Sequence, residues 1–466
     1  MMARMAVEET QTTTQSPPRT ADPRNAAEPP TTRAWTTRLV IVGIVLAALN
    51  LRPAITSLGA LLEEVRDGLG MSGSVAGVLT SVPPLCFAVF GVMAPRLARR
   101  FGPAAVVCAG MAAITAGLAI RPLMGGTPGF LAASALALMG IAVSNVLMPV
   151  IVKRWFPDRI GTMTGLYSMA LALGTSLAAA ITVPMTSAFG GDWQIGLGVW
   201  ALLAAAAVLP WLPVARERRR TAGASAGAST GTPVGASVGA ETATEASAES
   251  TSDSAAAAAA GDGLRITRSR TAWALAVFFG LQATGAYITM GWMPQIFRDA
   301  GVPASTAGVL LAVTMAMGVP LAFVIPRVAG RLRNQGPIAV ALGLCGLIGY
   351  AGLFFAPAAG AWVWAVLLGV SNCSFPLALT MVGMRAGTGA GVAKLSAFAQ
   401  STGYLLSIPG PLLVGVLYQH SGGWGLPIAL MSGLLVPQLV VGVLAGRDRT
   451  VEQELADRER AAAARA

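Results

Sequence analysis

The stretch Ser74-Val-Ala-Gly-Val-Leu79 returns as Ser305-Thr-Ala-Gly-Val-Leu310 in a chain of 466 residues. Two further pairs keep the same order and nearly the same offset. Pro95-Arg96-Leu-Ala98-Arg-Arg100 parallels Pro326-Arg327-Val-Ala329-Gly-Arg331, and Val143-Ser144-Asn145-Val-Leu-Met-Pro149 parallels Val370-Ser371-Asn372-Cys-Ser-Phe-Pro376. Three ordered matches identify an internal duplication, so the chain is read half by half.

Each half is a series of apolar runs. Charged residues make up 11% of the chain and hydrophobic residues 54%, where a soluble domain carries about 25% charge. Twelve runs are long enough to cross a bilayer, near 38–61, 73–94, 103–121, 128–151, 161–184, 194–213, 271–293, 304–325, 337–356, 361–384, 391–416 and 426–446. Residues 1–35 contain no apolar core of a cleavable signal, so the first run reads as a retained span. The organisation expected is a disordered tail over 1–36, a six-span half over 37–214, a flexible linker over 215–270, a second half over 271–446 and a tail over 447–466. The linker reading rests on Ala, Ser, Gly, Thr and Glu, which bury too little surface to offset chain entropy.

The net charge of +11 would suit a nucleic-acid binder if it were clustered on a soluble face. It is instead distributed by topology. Basic residues gather in the N-terminal tail, at Arg96, Arg99 and Arg100, at Lys153, Arg154 and Arg159, around the linker, at Arg327, Arg331 and Arg333, at Arg385 and Lys394, and in the C-terminal tail. Every one of these segments falls on the same side. The other side holds Arg66, Arg121 and Arg298, with Glu63, Glu64, Asp67, Asp192 and Asp299. The positive-inside rule then places both termini and the linker in the cytoplasm of a bacterial-type inner membrane, with lipid and not nucleic acid as the partner.

Within the spans, Arg52 stands out in Leu49-Asn50-Leu51-Arg52-Pro53-Ala54. At helical rise it lies about 21 Å from Arg38 and about 17 Å from Glu63, too deep to reach either interface. An intramembrane Arg costs roughly 2.5 kcal/mol or more, and it ordinarily faces a polar cavity or ligand path. No Asp or Glu falls inside a span core, so an anionic small-molecule substrate is the natural counter-charge, held by the guanidinium fork. The structural alternative is an Arg bonded to carbonyls such as that of Leu49, which Pro53 deprives of its helical donor.

Weaker signals surround it. Asn50 neighbours Arg52, and Asn145 and Asn372 sit mid-span in the repeat, able either to bind substrate or to join helices. Gln282 and Tyr287 in the seventh span, and Gln400 with Tyr404 one turn apart in the eleventh, offer further polar contacts. Trp292, Glu63, Glu64 and His420, the one histidine, are candidates for a gate or for coupling to a proton. Cys86, Cys108, Cys345 and Cys373 lie in apolar runs with no metal-ligand spacing, so no metal site and no cofactor is expected. Phosphate-cradling loops, HExxH and hydrolase triads are absent from the sequence, which excludes an ATP-driven pump in this chain and gives no basis for an enzyme.

Four segments carry a family resemblance: LNLRPAITSLGALL (49–62), LQATGAYITMGWMPQIFRDAG (281–301), FPLALTMVGMRA (375–386) and LSAFAQSTGYLLSIPGPLLVG (395–415). With KRWFPDRIG (153–161), the sequence resembles the cyanate and nitroimidazole transporter family of the major facilitator superfamily. That resemblance implies an all-α polytopic membrane protein, with 12 transmembrane helices in two pseudo-symmetric six-helix bundles and a site between the halves. It further implies movement of small anions or small polar organic solutes. One position departs from the superfamily pattern, since Arg99 stands where the loop after the second span ordinarily has an acid. The resulting expectation is a monomeric secondary transporter working by alternating access, with spans 1, 4, 7 and 10 lining its cavity. Efflux of amphipathic compounds and a non-transporting receptor or scaffold are the other readings.

Overall fold

The computed structural model describes residues 30–227 and 266–464. The expected tail over 1–29 and most of the linker, 228–265, lie outside these. Among the described residues there are twelve helical spans: Trp35–Ala60, Gly73–Phe101, Pro103–Leu123, Thr127–Trp155, Thr162–Ala188 and Trp193–Arg216, then Arg270–Asp299, Ala304–Arg331, Gly336–Phe355, Ala361–Met384, Gly391–Ser421 and Gly425–Ala445. Helices are what lipid requires, because each satisfies its own backbone groups. Turns between them are short; Gly102, at φ 86°, is the one residue separating the helices of spans 2 and 3.

Three boundaries differ from the sequence reading. The helix of span 1 starts at Pro30 and that of span 6 continues to Gly227, past the span ends read from the sequence. The C-terminal tail forms a helix, Val451–Ala463, opened by a Thr450–Gln453 capping box. That tail helix is docked, for its buried Glu454 accepts hydrogen bonds from the Ser269 hydroxyl and the Arg270 and Thr271 amides at the start of span 7.

Several spans break in mid-course. Span 1 is divided between Pro30–Asn50 and Pro53–Ala60, span 10 between Ala361–Asn372 and Ser374–Met384, and span 11 between Ser407 and Pro409. Proline supplies the cause in spans 1 and 11, since it lacks the amide that would continue the ladder. The freed Leu49 carbonyl is met by Gly174 of span 5, where a Cβ would lie 2.3 Å from the oxygen. In span 10, Pro376 frees the Asn372 carbonyl, which accepts from Gln282 Nε2 at 3.5 Å.

The two halves touch mainly on the side away from the termini, termed the far side here. A Cβ on Gly59 of span 1 would sit 1.9 Å from the Met290 carbonyl of span 7, one on Gly77 of span 2 would sit 2.8 Å from the Leu412 carbonyl of span 11, and one on Gly308 of span 8 would sit 2.6 Å from the Ala179 carbonyl of span 5. Glycine is what permits such backbone approach.

Candidate functional site

Between the halves lies a cavity of about 480 Å³ with Arg52 on its wall. Because the helix ends at Asn50, Arg52 sits at the start of the next segment with φ −127° and its carbonyl accepts from the Ile55 and Thr56 amides. Its guanidinium thus projects from a break and not from a continuous helix face. Tyr287 of span 7 and Tyr404 of span 11 line the same cavity, and the Phe87 ring centre is 6.0 Å from the guanidinium carbon. No Arg52 hydrogen bond to a carbonyl and no ion pair exists among the described residues. The cation is therefore surrounded by aromatic rings and phenols, with no carboxylate to neutralise it.

The opposite wall is polar but uncharged. Gln282 and Asn372 both line the cavity, and beyond the long contact between Gln282 Nε2 and the Asn372 carbonyl, Gln282 Oε1 and Asn372 Nδ2 are buried without partners among the described residues. Such orphaned groups carry a desolvation cost of about 1–3 kcal/mol each, which a ligand able to donate and accept would offset. Tyr404 is held between Phe87 at 5.1 Å and Phe279 at 5.2 Å, one ring from each half.

Of the residues expected at the site, the structure brings Arg52, Gln282, Tyr287, Asn372 and Tyr404 together. Asn50, Asn145 and Gln400 are not among the lining residues. Asn50 points away, donating to the Leu46 and Leu203 carbonyls and so tying span 1 to span 6. Asn145 accepts from the Tyr167 hydroxyl at 2.5 Å, and Gln400 is spent on Ser396, one turn back in its own helix. Span 4 is accordingly replaced on the wall by span 5, through Ser168, Leu171 and Thr175, and span 8 contributes Thr314 and Met315. Tyr167 gave no sequence signal beyond being a phenol inside an apolar run.

The gate candidates cluster on the far side. Arg298 of span 7 bridges Glu63 at 2.8 Å and Glu64 at 2.9 Å, in the helix Leu62–Leu69 that follows span 1. Trp292, fully buried, donates to the Thr80 hydroxyl at 3.2 Å, and Ser74 donates to Gln419 through its hydroxyl at 2.7 Å and its amide at 2.8 Å. Each of these contacts joins one half to the other. His420 is exposed at the end of span 11, and its side chain makes no hydrogen bond or ion pair among the described residues. On the side of the termini, Arg96, Arg99, Arg100, Arg327, Arg331 and Arg333 enter no ion pair among the described residues, and the cavity wall extends that way through Ala322, Pro326, Leu379 and Thr380. The cavity is thus closed on the far side and reaches toward the side of the termini.

A family model described as the Major Facilitator Superfamily matches residues 40–394. The chain belongs to the major facilitator superfamily. It is 31% identical over 421 residues to the 2-nitroimidazole transporter of Escherichia coli (strain K12), covering 89% of this chain and 96% of that one. It is 29% identical over 402 residues to the cyanate transport protein CynX of the same organism, covering 85% and 95%. An inward-open structure of the E. coli xylose transporter XylE superposes with a TM-score of 0.67 at 11% identity, over 90% of this chain and 99% of that one. This superfamily member is a multi-pass membrane protein and a secondary transporter of a small solute, not an enzyme.

Proposed function

We propose that the chain moves a small anion across a bacterial-type inner membrane by alternating access, with Arg52 as the charge anchor. The observation that carries this reading is the unpaired guanidinium on the wall of a cavity between the halves. An anion arriving from water exchanges hydration for a charge-assisted hydrogen bond, and Tyr287 presents a phenol beside it. The Lys/Arg bias supports a cytoplasmic placement of the termini, and on that placement a cavity closed on the far side is that of an inward-facing state. In this reading the monomer is the working unit. CynX, by its name, carries cyanate, the class of solute this site fits.

The test is thermal stabilisation of purified protein by cyanate and other small anions, compared with Arg52→Gln and Arg52→Lys. Binding to the unmodified protein raises the melting temperature. Losing a charged hydrogen bond weakens affinity by roughly 10- to 100-fold in the Gln variant, and Lys, lacking the planar fork, restores it only in part. Equal stabilisation of all three proteins would overturn the anchor role, and a lipophilic cation serves as the negative control.

A second reading is favoured by Gln282 Oε1 and Asn372 Nδ2. One unpartnered acceptor and one unpartnered donor on the same wall suit a neutral nitrogen heterocycle, the chemistry named for the 2-nitroimidazole transporter. In that case 2-nitroimidazole stabilises the protein, and Asn372→Ala removes the effect more fully than Arg52→Gln.

A further inference from the structure

Arg121, at the end of span 3, falls by sequence among the charges of the far side. The structure buries it instead, at 1% exposure. Its Nη1 donates to the Ala54 carbonyl at 3.1 Å, just past the break at Arg52, and the Phe130 ring centre is 5.6 Å from its Cζ. Nε and Nη2 are buried without any partner among the described residues, and Arg121 joins none of their ion pairs. These two nitrogens form the side edge of the guanidinium, the edge that takes a carboxylate or other oxyanion with two parallel hydrogen bonds. Propping one carbonyl needs a single donor; it does not account for an unused fork and an unpaired buried charge.

A small space adjoins this side chain. Arg121 lines a small cavity of about 20 Å³ with Ser134, whose hydroxyl is also buried and unpartnered. The space has room for one water and no solute. Its walls are spans 1, 2, 3 and 4 of the first half, and the second half contributes only Tyr287 and Gly291 of span 7. Tyr287 also lines the main cavity, so the two spaces follow one another along the molecule, separated by that ring. Beyond the small cavity come the far-side contacts, Trp292 with Thr80 and Arg298 with Glu63 and Glu64.

We infer that Arg121 is a second anion site, for a carboxylate or small oxyanion, uncovered when span 7 withdraws from spans 1 and 2. It rests on the reading of Arg52 as the anchor of the main cavity. A solute entering from the far side meets Arg121 first and passes Tyr287 to reach Arg52.

The test uses purified full-length Ser134→Cys protein, with modification at residue 134 read by peptide mass spectrometry so that the native cysteines stay in place. The probes are an anionic sulfonatoethyl and a cationic trimethylammonioethyl methanethiosulfonate, each rate divided by its rate with a simple thiol. The expected result is an anionic preference of about tenfold, equivalent to ~1.4 kcal/mol. Arg298→Gln, which opens the far side, accelerates both reagents. Arg121→Gln abolishes the preference, whereas Arg52→Gln keeps it while losing anion binding in the main cavity, so failure of either site is read separately. No modification even with Arg298→Gln, equal normalised rates, or a preference that survives Arg121→Gln each overturns the proposal. If Arg121→Gln yields no folded protein, the ratio in Ser134→Cys alone decides, and a ratio of one is the negative result.

Discussion

Arg298 Nη1 donates to Glu64 Oε2 at 2.9 Å across 234 positions of sequence and across the boundary between the halves. With Glu63 on its other nitrogen, the guanidinium is shared by two carboxylates at a half-exposed rim. Partly exposed ion pairs contribute about 0.5–1 kcal/mol each. Arg298→Gln therefore shifts the equilibrium toward far-side opening by about fivefold, and high salt acts in the same direction on the unmodified protein. Spin labels at Asp67→Cys and Ser421→Cys, both exposed on that rim, report the change as a longer distance population. An unchanged distribution would show that the clasp does not hold the gate.

Two glycine substitutions separate gating from folding. A methyl at Gly59 meets the Met290 carbonyl of the other half, and one at Gly174 meets the Leu49 carbonyl of the same half. Halves can part, but spans within a half cannot without losing their packing. Gly59→Ala is expected to retain its thermal stability and to populate the far-side-open state. Gly174→Ala costs about 1–3 kcal/mol, as overpacking does, and lowers the melting temperature. Circular dichroism melts combined with the same spin-label pair check both outcomes.

The docked tail predicts an acid-sensitive element. Burial pushes the Glu454 carboxyl up, but hydrogen bonds from the Thr271 and Arg270 amides and the Ser269 hydroxyl outweigh it and hold the group down at about 2. A folded-state value below the ordinary one means the contribution is fully present above about pH 4.5 and fades as pH falls toward 2. Glu454→Gln removes that pH dependence, and Glu454→Ala destabilises by on the order of 2 kcal/mol by leaving helix-start amides unpaired. Melting curves between pH 3 and 6 resolve the difference; parallel curves for the Gln variant and the unmodified protein would refute it.

The paired asparagines should behave differently despite their matching motifs. Asn145→Leu strands the Tyr167 hydroxyl and costs about 1–2 kcal/mol in stability, with little change in ligand affinity. Asn372→Ala removes a partnerless cavity group, so it changes affinity and leaves stability near that of the unmodified protein. Isothermal titration beside melting curves separates the two effects.

The fold was legible because membrane spans are written in long apolar runs and the duplication in matching motifs. The site was only partly legible. Arg52 announced itself by the cost of placing a charge there, and Tyr287 and Tyr404 lie on the wall facing it. Asn50 and Gln400 carry the same polar chemistry, yet a one-residue rotation about a helix decides whether such a group meets a cavity or a neighbouring carbonyl. Arg121 shows the same limit from the other direction. Its place at the end of an apolar run reads as a loop charge, and only the turn Arg121–Leu123 folding back under Ala54 buries it.

The clasp is one-sided: acids hold Arg298 at the far rim, while Arg96, Arg99, Arg100, Arg327, Arg331 and Arg333 at the opposite rim enter no ion pair among the described residues. On the proposed alternating-access cycle, an empty carrier rests facing the termini, and its reorientation to the far side is the uphill leg. A second solute molecule on the near side, by travelling out in the carrier, shortens that leg. Exchange of solute for solute should outpace net flux, so preloaded vesicles would take up labelled substrate faster than empty ones.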